Sequence, residues 1–66
     1  MTKQTAIQAM QDGAKVRHEN FSPDEWMKME GNEIVLEDGV RCTPDEFWIH
    51  RQGEDWQDGW SIYIGK

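Results

Sequence analysis

The 66-residue sequence predicts a small α+β fold, in which a three-stranded meander and a C-terminal strand form an antiparallel sheet packed with one or two short helices. Three observations favour this class. Apolar residues near the amino end recur at helical spacing, two central segments alternate apolar and polar residues, and Gly-Asn and Asp-Gly pairs mark tight turns. The length predicts a single domain, residues 1–66.

The first element is a helix, predicted over residues 5–12 because its apolar residues share one face. Those residues are Ala6, Ile7, Ala9 and Met10. Gly13 follows as the predicted C-terminal cap, since glycine tolerates the left-handed conformation that ends many helices. Residues 15–21 are predicted to be extended, and their polar content indicates an edge strand or a connecting arm.

A β-hairpin is predicted from residues 26–30 and 33–37, which alternate on either side of a Gly31-Asn32 turn. A slip of one residue would mix apolar and polar side chains on each face, so the pattern favours one register. That register sets two apolar pairs opposite each other: Met29 with Ile34, and Met27 with Leu36.

The remaining strands follow from turns and β-propensity. Asp38-Gly39 is a second tight-turn signal, which folds residues 40–42 back as a short third strand. Residues 52–59 are polar and rich in turn formers, so we predict a loop. The chain closes with a predicted strand over residues 60–64.

Two segments, residues 22–25 and 43–46, share one helix-start pattern of a hydroxyl residue, Pro, Asp and Glu. In such a capping box the hydroxyl accepts an early backbone N–H, and the Glu accepts the N–H of the capping residue. The second box predicts a helix that continues through Arg51 to Gly53, whereas the first is followed by the strand pattern. Capping also explains the paired carboxylates that would otherwise suggest acid–base catalysis: Asp24, Glu25, Asp45 and Glu46.

The charge balance is strongly acidic. Thirteen acidic and seven basic residues give a net charge of −6, which disfavours direct binding to nucleic acid. It fits docking onto a basic surface, including that of a nucleic-acid-binding protein, although acidity can also serve solubility alone. The predicted partner-binding acids lie on the hairpin and the last loop: Glu30, Glu33, Glu37, Glu54, Asp55 and Asp58.

Four tryptophans are many for this length and argue against disorder. A core this small is not expected to enclose all of them, so one or two are predicted to reach a surface where they anchor a partner or a second copy. The predicted aromatic interface therefore comprises Trp26, Trp48, Trp56 and Trp60.

A cluster of Lys15, Arg17 and His18 is an alternative site, for an anionic ligand. The soft metal ligands are His18, Cys42 and His50. None of them has the spacing of a zinc site, so we expect no metal or cofactor. No nucleophile elbow, phosphate loop or dinucleotide fingerprint occurs, so we expect no enzyme. A single cysteine, no long apolar run and no leader pattern predict a cytoplasmic protein.

Residues 6–17, Ala-Ile-Gln-Ala-Met-Gln-Asp-Gly-Ala-Lys-Val-Arg, resemble the start of a class of small phage and prophage proteins. That class includes the Thoeris anti-defence proteins, some of which sequester cyclic nucleotide signals, and a relative described as an anti-CRISPR. The resemblance implies a phage origin and a host-directed role, and it matches Lys15 and Arg17 to the family motif. The chain departs from the family at residues 19–21, where Glu-Asn-Phe replaces a Gly-Trp pair.

Three functions remain open on the sequence. The first is a non-enzymatic phage accessory protein that binds and inhibits a host protein, such as a bacterial defence component. The second is an oligomeric sponge for a small anionic, cyclic nucleotide. The third is a structural or self-assembling protein. We expect a homodimer, because so many tryptophans without a disulfide suggest burial between subunits.

Overall fold

The structure is a computed structural model that describes residues 1–64. Its elements run α1 (Lys3–Gln11), β1 (Val16–His18), β2 (Met27–Glu30), β3 (Glu33–Leu36), β4 (Arg41–Cys42), α2 (Pro44–Ile49) and β5 (Trp60–Ile62), with a 3₁₀ turn at Glu54–Trp56. The strands form one antiparallel sheet in the order β4-β3-β2-β1-β5. The predicted α+β class is confirmed.

Helix α1 begins two residues before the prediction because Thr2 caps it, its hydroxyl accepting the Thr5 N–H at 3.2 Å. Gly13 follows the helix with a φ of 98°, the left-handed conformation that the sequence predicted. The chain then turns back and enters β1.

The central hairpin has the predicted register. Met27 lies opposite Leu36 and Met29 opposite Ile34, and Gly31 takes a φ of 60° in the turn. Strand β4 extends the meander by pairing Cys42 with Ile34.

The prediction that residues 15–21 form an edge strand or an arm is wrong. Strand β1 lies inside the sheet, between β2 and β5, with Val16 opposite Met27 and Arg17 opposite Ser61. Its polar residues reflect the two-sided character of the sheet, because alternate side chains point toward the helices and away from them.

Both helices pack on the same face of the sheet. Ala6 and Met10 of α1 and Phe47 of α2 meet side chains from four strands in one buried cluster. The sheet residues of that cluster are Val16, Met27, Ile34 and Trp60. No helix of residues 1–64 covers the opposite face, so the molecule has two layers and one open sheet face.

The two capping boxes have different outcomes. Thr43 and Glu46 form the complete box at the start of α2, as predicted. Glu25 accepts the N–H and hydroxyl of Ser22 in the same way, but a turn follows and β2 soon begins. Helix α2 ends at Ile49, short of the predicted Arg51.

Candidate functional site

Three loops lie at the end of the sheet where β1 and β3 finish and where β2, β4 and β5 start. These loops, residues 19–26, 37–40 and 54–59, contain eight carboxylates and no Lys or Arg. Seven of the eight residues are exposed and one, Glu25, is half-buried. We call this region the acidic end; its carboxylates are Glu19, Asp24, Glu25, Glu37, Asp38, Glu54, Asp55 and Asp58.

His18 ties two of these loops together from inside the core, where its side chain is 0% exposed. Its Nδ1 accepts the Asn20 N–H at 3.0 Å, so the ring hydrogen resides on Nε2. Nε2 therefore donates to the carbonyl oxygens of Asp55 and Asp58, at 2.8 and 2.7 Å. The Trp56 ring packs on the imidazole at a centroid distance of 4.3 Å. The loops are thus held by a buried polar group whose bonds are all satisfied.

The carboxylates of different loops influence one another. The pKa of Glu25 lies below its usual value, chiefly because Ser22 donates backbone and side-chain hydrogen bonds to the carboxylate. The positive charge of Arg51 lowers this pKa further, whereas the negative charge of Asp38 opposes the shift. Glu25 and Asp38 belong to different loops, so the charges of these two loops lie close enough to affect each other. The Arg51 guanidinium stacks on the Phe47 ring, and its central carbon lies 4.1 Å from the ring centroid.

The structure divides the six acids that the sequence grouped as one partner surface. Glu30 and Glu33 flank the hairpin turn, at the opposite end of the sheet from the last loop. Both are paired with cations: Arg41 reaches Glu30 at 2.7 Å and Glu33 at 3.4 Å, and Lys28 reaches Glu30 at 3.0 Å. Of the hairpin acids, Glu37 alone joins the last-loop acids.

Sequence reasoning missed half of the acidic end. Four of its carboxylates had been assigned only to capping or turns, or to no role: Glu19, Asp24, Glu25 and Asp38. A usable signal was present, because successive antiparallel strands return every second loop to the same end of a sheet. Combined with the predicted meander, that rule places residues 19–25 beside residues 37–38.

The open sheet face is mixed in charge, and its Lys28 and Arg41 are paired with Glu30 and Glu33 of the same face. Strand alternation places there four of the seven Lys and Arg residues of the chain, together with two aromatic rings. In register, Lys28 and Arg41 flank Val35, which is only 7% exposed because long aliphatic stems lie on both sides of it. The side chains of this face are Lys15, Arg17, Trp26, Lys28, Glu30, Glu33, Val35, Arg41, Ser61 and Tyr63.

One corner of this face combines cations with aromatic rings. The Lys15 ammonium lies 4.3 Å from the Trp26 ring centroid, and the Trp26 and Tyr63 rings are 6.2 Å apart. Arg17 donates from Nη2 to the Phe21 carbonyl at 3.1 Å, while its buried Nε has no hydrogen-bond partner within residues 1–64. In the same range, neither Lys15 nor Arg17 has a carboxylate at salt-bridge distance.

The predicted anion site needs one correction. His18 does not join Lys15 and Arg17, because it points to the helix side of the sheet and is fully buried. The strand period of two explains this, since adjacent residues face opposite sides. Trp26 and Tyr63 take its place beside the two cations.

The tryptophans also separate. Trp60 is 2% exposed and lies in the core, so its assignment to an aromatic interface is wrong. Its indole N–H donates to the Trp56 carbonyl at 2.8 Å. Trp48 and Trp56 are half-buried against the core, and Trp26 is half-buried on the open face.

The capping carboxylates are poorly suited to acid–base chemistry. Hydrogen bonds from the backbone and hydroxyl of Thr43 lower the pKa of Glu46, and the Ser22 bonds do the same for Glu25, so both stay ionised at neutral pH. Within residues 1–64, no three His, Cys, Asp or Glu side chains are arranged to hold a metal ion.

A shallow, open groove of about 500 Å³ lies between the two helices and the last loop. It is lined by Lys3, Asp45, Trp48, Ile49, Gln52 and Gln57. The Lys3 ammonium lies 4.4 Å from the Trp48 ring centroid. Both side chains line the groove.

Comparison with protein-family profiles, with curated proteins and with solved structures finds no match to this chain. None of the helices within residues 1–64 has the length and apolar character needed to cross a membrane.

Proposed function

We propose that this chain is a small, non-enzymatic phage-type protein that binds and inhibits a host protein, a bacterial defence component, by covering a basic surface of that protein with its acidic end. One observation carries the proposal: eight carboxylates from three loops share one end of the sheet, and those loops contain no Lys or Arg. A concentrated charge of this kind accelerates encounter with an oppositely charged surface.

Two further features support a protein partner. Two of the three loops, residues 19–26 and 54–59, are held in place by the buried His18, so little ordering of them is needed on binding. The half-buried rings of Phe21 and Trp56 belong to the same loops, and a half-buried aromatic side chain is a common anchor in protein interfaces. A basic surface that normally contacts nucleic acid has the chemistry that this end would meet.

The test compares two variants that change the net charge equally but at different places. Glu54→Gln with Asp55→Asn neutralises two acids of the acidic end, and Asp12→Lys changes the charge by the same amount just after α1, at the other end of the sheet. Each tagged protein is used for affinity capture from lysate of a bacterial host at low salt, with mass spectrometry. We expect the acidic-end variant to retain at least about tenfold less of one basic host protein, and Asp12→Lys to retain the wild-type amount.

Equal capture by both variants would show that bulk charge governs binding and would reject the acidic end as the site. Failure of the wild-type protein to retain any basic host protein would reject the function itself. Raising the salt from about 0.05 to 0.5 M should release the partner, because the contact is largely electrostatic.

A second candidate function, the binding of a small anionic cyclic nucleotide, is favoured by the corner of the open face. Lys15 and Arg17 have no ion-pair partner within residues 1–64, and the Trp26 and Tyr63 rings beside them offer a surface for stacking a base.

Thermal melting with a panel of cyclic nucleotides tests it, because a ligand that binds only the native state raises the melting temperature. The double variant Lys15→Gln with Arg17→Gln should abolish that shift. A flat melting temperature across the panel would reject this candidate and leave the protein-binding proposal untouched.

A further inference from the structure

We propose that the open sheet face of one molecule receives the acidic end of a second copy of this chain, so that the protein associates head to tail. This inference goes beyond the proposed function, because it assigns a role to the open face and names this chain itself as the occupant. It uses the same acidic end, so self-association and host-protein binding would compete for that surface.

The receiving surface is an uncovered face with unsatisfied positive charge. Two of its cations, Lys28 and Arg41, are already paired with Glu30 and Glu33 of the same face. Lys15 and Arg17 lack any such partner within residues 1–64. Arg17 donates one side-chain hydrogen bond, from Nη2 to the Phe21 carbonyl, so an incoming carboxylate would supply the counter-charge that its guanidinium lacks in that part of the chain.

The complementary surface is present on the same molecule. Of the eight carboxylates of the acidic end, Asp58 alone has an ion-pair partner within residues 1–64, the Met1 ammonium at 3.7 Å. The remaining seven carboxylates are exposed to solvent or accept hydrogen bonds within their own turns. A nucleic acid would also offer negative charge to the open face, but the net charge of −6 would repel its long row of phosphates. A second copy also carries a net charge of −6, but it presents a compact acidic end that can reach the open face while the rest of the molecule stays farther away.

The shape of the molecule then sets the symmetry. The acidic end lies at the tips of the strands and the open face lies along their sides, so they are different surfaces and their contact is heterologous. A two-fold, face-to-face dimer would leave the acidic ends of both copies uncovered, because those carboxylates lie at the strand tips and not on the open face. Head-to-tail contact therefore continues into larger species or closes into a ring.

The test is sedimentation of the full chain at low salt over a range of concentrations. We expect wild-type protein to form species larger than a dimer, and we expect those species to dissociate when salt is raised. Two variants should each be monomeric by themselves. One neutralises the open face, Lys15→Gln with Arg17→Gln; the other neutralises part of the acidic end, Glu37→Gln with Glu54→Gln and Asp55→Asn.

The decisive sample is the equimolar mixture of those two variants. The first keeps its acidic end and the second keeps its open face, so a single competent contact remains between them. The mixture should give a 1:1 dimer and nothing larger. Lys3→Glu serves as the control, because it changes the net charge as much as the open-face variant does but lies on α1, and it should associate like wild type. Far-UV circular dichroism verifies that every variant is folded.

Three results would overturn the proposal: a wild-type protein that stays monomeric at all concentrations, association that stops at a two-fold dimer, or a mixture that remains two monomers. Binding of a short single-stranded oligonucleotide through Lys15 and Arg17, without self-association, would assign the face to a different occupant and would also overturn it. No host protein is present in this assay, so its failure is separate from failure of the proposed function.

Discussion

The two faces of the sheet are built from alternate residues of the same strands, yet they differ in almost every physical property. On the helix-covered face, Val16, Met27 and Ile34 are each 0% exposed and Trp60 is 2% exposed. On the open face, most of the residues next to them in sequence are polar or charged and half-buried or exposed, with Val35 as a buried exception, and several are held by ion pairs and a cation–π contact.

This difference indicates which residues contribute most to the free energy of folding. Burial of apolar surface is the dominant favourable contribution to folding, and exposed ion pairs contribute little. The helix-covered face therefore determines stability, and the open face, together with the acidic end, can vary in charge without loss of the fold. Paired substitutions on the two faces test this division, and the following predictions run from the largest expected effect to the smallest.

The largest effect is expected when a core tryptophan is compared with an open-face tryptophan. Trp60→Ala leaves a cavity and costs about 3–5 kcal/mol, which approaches the whole stability of a domain this small. Trp26→Ala loses partial burial and the contact with Lys15, about 1 kcal/mol. Urea denaturation followed by circular dichroism measures both. Equal losses from the two variants would show that the open face supports the fold as much as the core does.

Adjacent residues of one strand give the second comparison. His18→Gln breaks three buried hydrogen bonds that join two loops, so it should cost about 2–4 kcal/mol. Arg17→Gln, the same substitution one residue away on the open face, loses one bond to the Phe21 carbonyl and should cost about 1 kcal/mol or less. Hydrogen exchange should show faster opening of residues 19–26 and 54–59 in the first variant only. An unchanged exchange rate there would contradict the role of His18.

The hairpin was predictable in full because its information is local. The apolar alternation of residues 27–36 and the Gly31-Asn32 turn determine the register without reference to the rest of the chain. The place of β1 was not predictable in that way, because its partner β5 lies more than 40 residues later in the sequence. A three-residue strand with a central arginine carries no sign of which strands flank it.

The site was predictable only in part for a related reason. A histidine side chain is seldom fully buried, so the burial of His18 was not expected. Its position two residues after Val16 nevertheless places it on the same face of the strand. The acidic end depends on strand direction, which follows from the meander. The ion pairs that neutralise Glu30 and Glu33 depend on the register of β4, and a two-residue strand specifies that register weakly.

The third prediction compares the two capping boxes, one of which begins a helix that covers the core face. Thr43→Ala removes the cap of α2 and should cost about 1 kcal/mol, because an orphan N–H at the helix start loses its acceptor. Ser22→Ala removes the corresponding hydroxyl from a turn at the acidic end, where no helix follows, and should cost less than half as much. Thermal unfolding of both variants measures the difference. A larger loss from Ser22→Ala would mean that the acidic loops contribute to folding more than helix α2 does.

The smallest effect is expected from the ion pairs of the open face. Glu30→Gln removes the acceptor shared by Lys28 and Arg41, but it also removes repulsion from Glu33, its cross-strand neighbour. Hydrogen bonds and charge from the two cations lower the pKa of Glu30 below 4.5 in the folded protein, so the carboxylate favours the folded state above that pH. The wild-type advantage over Glu30→Gln should therefore be small at neutral pH, disappear as the pH falls below 4.5, and be absent at high salt. If Glu30→Gln is instead more stable at neutral pH, the repulsion between Glu30 and Glu33 outweighs the ion pairs.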